Sequence, residues 1–288
     1  MITAILLASL ISVTPSLKYI SSVGDNIAGK PLNNPQGLAI NSSKMEFLIA
    51  DALNDRIIIV DTVGAIVFVF DLGAEKHNPF GIAVSQEDEI IVGAMDKPFL
   101  WLYDFTGNFL GEIILNTNIL PGRLAVRDGS IFIVNRAGNN IIEIDRSGNF
   151  LNEIVVPEST SQPCDILISP ENKYYVISCV GSAIYIFDES RKLDESYGSH
   201  GGNPEDYSHP TSADIDEKGR IWVVDSFRHQ LKCLNRDNQL LQIFGRQGVN
   251  TGEYFFPVDI KILPNQYLGV LEKGSGRLQI FRIDNEIK

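Results

Sequence analysis

The chain has 288 residues, of which 44% are hydrophobic and 21% charged, and its formal net charge is −12. An acidic chain repels phosphate backbones, and no run of Lys or Arg interleaves with aromatic residues, so the composition disfavours binding to nucleic acid. A chain of this length holds one or two domains.

The first segment is an uninterrupted run of apolar and small residues, 2–13. It is too short to cross a bilayer core of about 30 Å but has the length of a signal-peptide core. No basic residue precedes it, and no A-x-A sequence precedes Leu17. We expect residues 1–16 to be a signal peptide, with an apolar tail docked on the domain as the alternative. The mature chain, 17–288, is then exported to the periplasm, cell surface or medium and has no membrane span.

From residue 35 onward the sequence repeats a unit of four β-rich runs. Prolines open the copies at intervals of 42–47 residues, at Pro35, Pro79, Pro121, Pro163, Pro210 and Pro257. Such a period indicates a repeat architecture, and the runs alternate with period two, as strands do. We predict an all-β, six-bladed β-propeller of four-stranded antiparallel blades.

The last copy lacks its fourth strand, while residues 17–23, LKYISSV, match the fourth run of the fifth copy. We therefore expect this N-terminal strand to pair with residues 277–283 and close the ring, which removes exposed sheet edges.

The repeat resembles the NHL repeat. The matching positions in the first copy are Pro35, Gln36, Gly37, Leu38, Ala39, Asp51, Asn54, Arg56 and Gly64. The glycine-rich segments 198–210 and 245–257 resemble the family's connectors between blades. The resemblance implies the propeller fold, but NHL repeats occur in enzymes, RNA-binding proteins and scaffolds alike, so it does not determine function.

The position two residues after the family's proline lies at the start of the innermost strand. Its six occupants are Gly37, Gly81, Arg123, Asp165, Ser212 and Asp259. We expect Arg123, Asp165 and Asp259 to meet at the channel mouth, either as a self-neutralising cluster that plugs the channel or as a ligand site. Asn135, at the family's aspartate position, is a further candidate ligand residue. Oxygen ligands here suit calcium, although Arg123 among them opposes a cation.

Two blades carry candidate partner-binding residues. Blade two has Lys97, Phe99 and Trp101 where the other copies have a polar turn, and exposed aromatics there would contact a partner, with core packing as the alternative. Blade five carries His200 and His209, and with His229 these could in principle bind zinc.

Two related enzyme types have metal signatures that this chain lacks. Amidating lyases that resemble NHL proteins bind zinc through histidines directly after the blade-opening proline. Those positions here are Gln36, Phe80, Gly122, Cys164, Thr211 and Val258. Gluconolactonase-like propellers use a Glu from an E-G-P segment, which is absent from this sequence.

The three cysteines leave at least one thiol unpaired within the chain. A two-residue turn at Glu171-Asn172 would place Cys164 opposite Cys179, so a disulfide between them, or two reduced thiols, is expected, with Cys233 free. A one-residue slip would turn the two side chains to opposite faces.

These features predict a non-catalytic binding or scaffold propeller that engages a protein partner or ligand through its loop face, without a cofactor. The alternative is a metal-dependent lyase-like or lactonase-like enzyme with calcium or zinc at the central channel.

Overall fold

Residues 13–116, 118–157, 162–181 and 184–287 are described by a computed structural model of the chain. These residues form 24 strands in six four-stranded antiparallel sheets arranged as the blades of a propeller, which confirms the predicted fold. The only helical elements in the described ranges are two 3₁₀ turns, Ala52–Asn54 and Pro264–Gln266. No helix in this part of the chain has the length and apolar character needed to cross a membrane.

The first three blades follow the chain in order. Blade one contains β2 (Pro35–Asn41), β3 (Glu46–Asp51), β4 (Arg56–Asp61) and β5 (Ile66–Asp71). Blade two contains β6 (Pro79–Val84), β7 (Ile90–Ala94), β8 (Phe99–Tyr103) and β9 (Phe109–Ile114). Blade three contains β10 (Pro121–Arg127), β11 (Ser130–Asn135), β12 (Asn140–Ile144) and β13 (Phe150–Val155).

The last three blades complete the ring. Blade four contains β14 (Pro163–Ile168), β15 (Tyr174–Ser178), β16 (Ile184–Phe187) and β17 (Leu193–Tyr197). Blade five contains β18 (Pro210–Ile215), β19 (Ile221–Asp225), β20 (Gln230–Leu234) and β21 (Leu240–Phe244). Blade six contains β22 (Pro257–Leu263), β23 (Tyr267–Glu272), β24 (Arg277–Ile287) and the N-terminal strand β1 (Val13–Val23).

The N-terminal strand closes the ring as predicted. It pairs antiparallel with β24, and Leu17 lies opposite Ile283 while Val23 lies opposite Leu278. The strand begins at Val13, four residues before the expected boundary, because residues 13–16 continue the same ladder opposite residues 284–287. Residues 1–12 lie outside the described residues, so the signal peptide stays a prediction.

The hydrophobic core consists of six clusters, each between two adjacent blades. Trp101 and Tyr103 of blade two, for example, pack with Leu48 and Ile57 of blade one. Both faces of each blade carry apolar side chains, and the two neighbouring blades of the ring cover these faces. The middle strands are therefore buried almost throughout.

Close packing of the innermost strands explains the glycines at the start of blades one and two. A Cβ on Gly37 would lie 2.4 Å from the carbonyl oxygen of Phe80, and one on Gly81 would lie 2.0 Å from that of Gly122. On this side of the channel the backbones approach closely. The side chains that fill the axis therefore come from the other four blades.

The first hairpin of blade four differs from the prediction. Ser169 N donates to Lys173 O at 2.9 Å, and Asn172 has φ 58°, so three residues form the loop and the predicted two-residue turn is wrong. A register shift between Pro163 and Asp165 then leaves Cys164 in a bulge. This bulge brings Cys164 beside Cys179 with their Cα atoms 5.9 Å apart, a separation that suits a disulfide. Their oxidation state stays a prediction.

Candidate functional site at the channel mouth

A cavity of about 930 Å³ opens at the mouth of the channel on the loop face. Every blade contributes to its wall through the residue that follows its opening proline. These residues are Gln36, Phe80, Gly122, Cys164, Thr211 and Val258. The volume falls within the range of small-molecule sites.

Arg123 forms the floor of this cavity together with its ion-pair partner. Its guanidinium reaches across the ring to the carboxylate of Asp259 and donates to Val258 O at 2.6 Å. Asp259 also accepts a hydrogen bond from Leu38 N at 2.6 Å. Arg123 is 7% exposed and Asp259 1% exposed, so the pair is withdrawn from solvent.

Asp165 joins the same network through a serine. Ser212 Oγ lies 2.7 Å from both Asp165 Oδ2 and Asp259 Oδ1, so the hydroxyl sits between the two carboxylates and donates its one proton to either of them. Lys261 Nζ lies 4.0 Å from each carboxylate on the side of the opposite mouth. The three residues predicted to meet therefore do meet. Two cations and two carboxylates balance one another, as in the plug that was one of the two expectations.

The electrostatics of this floor follow from burial. Burial raises the pKa of Asp259, and Arg123 opposes that effect. Burial alone would lower the pKa of Lys261, but Asp165 and Asp259 raise it above its ordinary value. Asp214, near Lys261 at the far mouth, has its pKa raised by burial to about 6.

Asn135 lines the cavity but belongs to a different arrangement. Its Oδ1 accepts from Leu120 N at 3.2 Å and Ala137 N at 3.1 Å, and its Nδ2 donates to Asn140. Asp51 and Asp225 occupy the same repeat position and likewise accept backbone N–H groups of the preceding connector. This position holds loops in place, so a ligand-binding role for Asn135 stays a prediction.

An aromatic wall on blades five and six was not foreseen in full. The His209 ring stacks on Phe227 with centroids 4.3 Å apart and planes at 18°, and Phe227 meets Phe256 edge to face at 6.2 Å. Phe227 is 57% and Phe256 37% exposed, so both rings are accessible at the mouth. Burial lowers the pKa of His209, which keeps the ring neutral near pH 7. In the sequence, Phe227 lies two residues after Asp225 and Phe256 directly before Pro257. These positions relative to the repeat could have identified both as residues of the loop face.

Basic side chains lie on two sides of the mouth. The Arg136 guanidinium lies 4.7 Å from the centroid of the Phe80 ring and donates to Met95 O at 2.5 Å. Lys273 lies on the blade opposite to that of Arg136, and its backbone N–H donates to Phe256 O at 2.9 Å. Within the described ranges neither cation forms an ion pair with a carboxylate.

The residues predicted to contact a partner differ in their exposure and in their distance from the cavity. Trp101 is 2% exposed in the core between blades one and two, so of its two expected roles the structure shows core packing and not an exposed contact. Lys97 is exposed and Phe99 half-buried, but neither lines the cavity. His200 is exposed in the connector between blades four and five, and of the predicted partner residues only His209 is in the cavity wall.

The predicted histidines do not come together at a metal site. His229 packs against Phe255 and Phe256, and its Nδ1 accepts a hydrogen bond from Phe256 N at 3.1 Å, whereas His209 stacks on Phe227. Within the part of the chain that the structure describes, no group of three or more His, Cys, Asp or Glu side chains is arranged to hold a metal ion.

No protein-family profile and no curated protein matches this chain by sequence. Its fold is similar to virginiamycin B lyase from Staphylococcus aureus, with TM-score 0.66 and 14% identity over 93% of this chain and 99% of the lyase. It is also similar to a gluconolactonase from Xanthomonas campestris, with TM-score 0.68 and 15% identity over 94% and 90% of the two chains. Hydrazine synthase from Kuenenia stuttgartiensis aligns with TM-score 0.66, 11% identity, and 89% and 97% coverage. At these identities the comparisons establish a propeller fold shared by proteins of different activities.

Proposed function

We propose that this chain is an exported, NHL-type propeller that binds a ligand or protein partner through its loop face without catalysing a reaction. The observation that carries the proposal is the mouth cavity, built from all six blades, with exposed Phe227 and Phe256 on its rim. Exposed aromatic side chains around a concave site are typical of binding surfaces. The buried ion network beneath gives that cavity a rigid floor.

Matched variants at the mouth and on the outer rim test this proposal. Phe227→Ser removes an aromatic side chain from the mouth, and Phe150→Ser removes an equally exposed one from outer strand β13. Each immobilised protein is exposed to envelope and secreted proteins and to metabolites of the source organism. We expect Phe227→Ser to lose what the wild type retains, and Phe150→Ser to retain it. Equal retention by both variants would contradict a loop-face site.

A second candidate is the enzyme with a metal at the channel. It draws support from the lyase and gluconolactonase among the structural neighbours and from a neutral histidine in the cavity wall. Elemental analysis of protein purified without chelators separates the two candidates. A stoichiometric divalent ion favours the enzyme, whereas the binding protein is expected to carry none.

A further inference from the structure

The charge of the mouth differs from that of the whole protein. The chain carries 36 acidic and 24 basic residues, yet the charged side chains described in the cavity wall, Arg123, Arg136 and Lys273, are all basic. At the average frequency of one acidic residue in eight, the 24 wall residues would include about three. Arg123 is neutralised by Asp259, so Arg136 and Lys273 leave the wall with a net positive charge within an acidic protein, and this charge attracts anions.

The carboxylates closest to the wall do not cancel this potential. Asp259 is bonded to Arg123, and Asp225 accepts the backbone N–H groups of Ser208 and His209 at 3.0 Å each. Asp225 also lies 3.6 Å from Arg228 and 3.9 Å from Lys232, and the other two buried carboxylates near the wall, Asp51 and Glu272, pair with Arg56 and Arg277. Arg136 and Lys273 remain without carboxylate partners among the described residues.

The shape of the wall selects among anions. The stacked His209 and Phe227 rings with the edge of Phe256 offer a flat apolar surface, which suits another planar ring. Lys273 begins beside this surface, since its backbone N–H is bonded to Phe256 O. Because the lysine side chain is long and flexible and starts at this point, its ammonium group can reach an acidic substituent of a ring that lies on the aromatic wall.

We propose that the mouth binds a small planar anion, an aromatic carboxylate, with its ring on the Phe227 wall and its carboxylate toward Lys273. This inference rests on the proposed binding function and specifies its ligand. A carboxylate paired with an ammonium group forms a charge-assisted hydrogen bond, while the ring buries apolar surface against Phe227. Both contributions are needed, so a neutral ring or a small inorganic anion binds less well.

Two isosteric probes test the proposal on the purified full chain. Binding of 2-naphthoate and of neutral 2-naphthamide is measured by calorimetry at low salt. We expect naphthoate to bind at least about tenfold more tightly, since hydrogen bonds to charged groups exceed neutral ones by roughly that factor. Lys273→Gln should remove that preference, and Phe227→Ser should weaken both probes. Lys192→Gln, an exposed lysine in the turn between β16 and β17, is the control and should change nothing.

The outcomes separate the ligand class from the proposed function. Equal binding of both probes, lost in Phe227→Ser, would overturn the anion and keep the binding site. Naphthoate binding that Lys273→Gln and Phe227→Ser leave unchanged would place the probe elsewhere and overturn the inference. Failure of naphthoate to bind up to millimolar concentration would also overturn it, while retention of a natural partner still tests the loop face independently.

Discussion

Basic side chains are paired with carboxylates in the floor of the channel and unpaired at its mouth. In the floor, Arg123 and Lys261 lie against Asp259 and Asp165 in a buried, hydrogen-bonded network. At the mouth, Arg136 and the exposed Lys273 have no carboxylate partner among the described residues. The cations come from the same blades in both layers. We expect the paired charges in the floor to stabilise the fold and the unpaired charges at the mouth to be available to a ligand.

The largest expected effect comes from breaking the floor. Arg123→Ala leaves Asp259 buried beside Asp165 without its main partner, and we expect a loss of about 3–5 kcal/mol in the free energy of unfolding. Arg136→Ala is the control at the mouth and should change stability by only about 1 kcal/mol, because it removes an exposed contact with Phe80 and one hydrogen bond. Urea denaturation of both variants measures the difference. If Arg123→Ala left stability unchanged, the ion pair would not stabilise the fold and the contrast between the layers would fail.

The cysteine pair is the part of the mouth wall expected to contribute to stability. A disulfide between Cys164 and Cys179, 15 residues apart, should stabilise the fold by about 3 kcal/mol. Cys164→Ser and Cys179→Ser should each lose that amount under oxidising conditions and nothing in reductant, and the double variant should lose no more.

Thiol titration of the denatured, unreduced protein provides the direct measurement. One reactive thiol is expected, from Cys233, which is buried in blade five with its pKa raised by burial to about 12. Three reactive thiols would contradict the bond. A disulfide would also agree with export to an oxidising compartment.

The smallest expected effect is a pH dependence that arises from Asp214 at the far mouth, beneath the floor. Asp214 has a folded-state pKa of about 6, raised by burial above the ordinary value of 3.8. Between these values the folded state holds more protons than the unfolded state, so stability falls as pH rises through this window. From pH 5 to pH 7 the wild type should lose about 1 kcal/mol relative to Asp214→Asn.

Asp214→Asn also changes the absolute stability of the protein. The two carboxylate oxygens of Asp214 accept from Ile215 N and Ile262 N, and asparagine offers only one acceptor oxygen. Only the change with pH is informative. Parallel pH profiles for wild type and variant would show that Asp214 does not titrate in this window.

The sequence by itself determined the ring. Strand alternation and the spacing of prolines are local properties, and the missing fourth strand of the last copy required a partner, which β1 supplies. The same alignment placed Arg123, Asp165 and Asp259 together, because equivalent positions of a closed ring face one axis. It also contained six of the 24 wall residues of the cavity, the ones that directly follow the blade-opening prolines.

Tertiary structure decided what each side chain meets. Alternation gives the face on which Trp101 lies, but only the packing of blade one against blade two buries it. The three-residue loop of blade four includes Asn172 in the left-handed conformation, and it changes the strand register by one residue from the predicted one. The bulge at Cys164 compensates for this change, so Cys164 still lies beside Cys179. Arg123 and Asp259 are 136 residues apart, and the stack of His209 on Phe227 joins two separate loops. Such contacts depend on how the blades are placed relative to one another in the ring, and the repeat pattern in the sequence does not specify that placement.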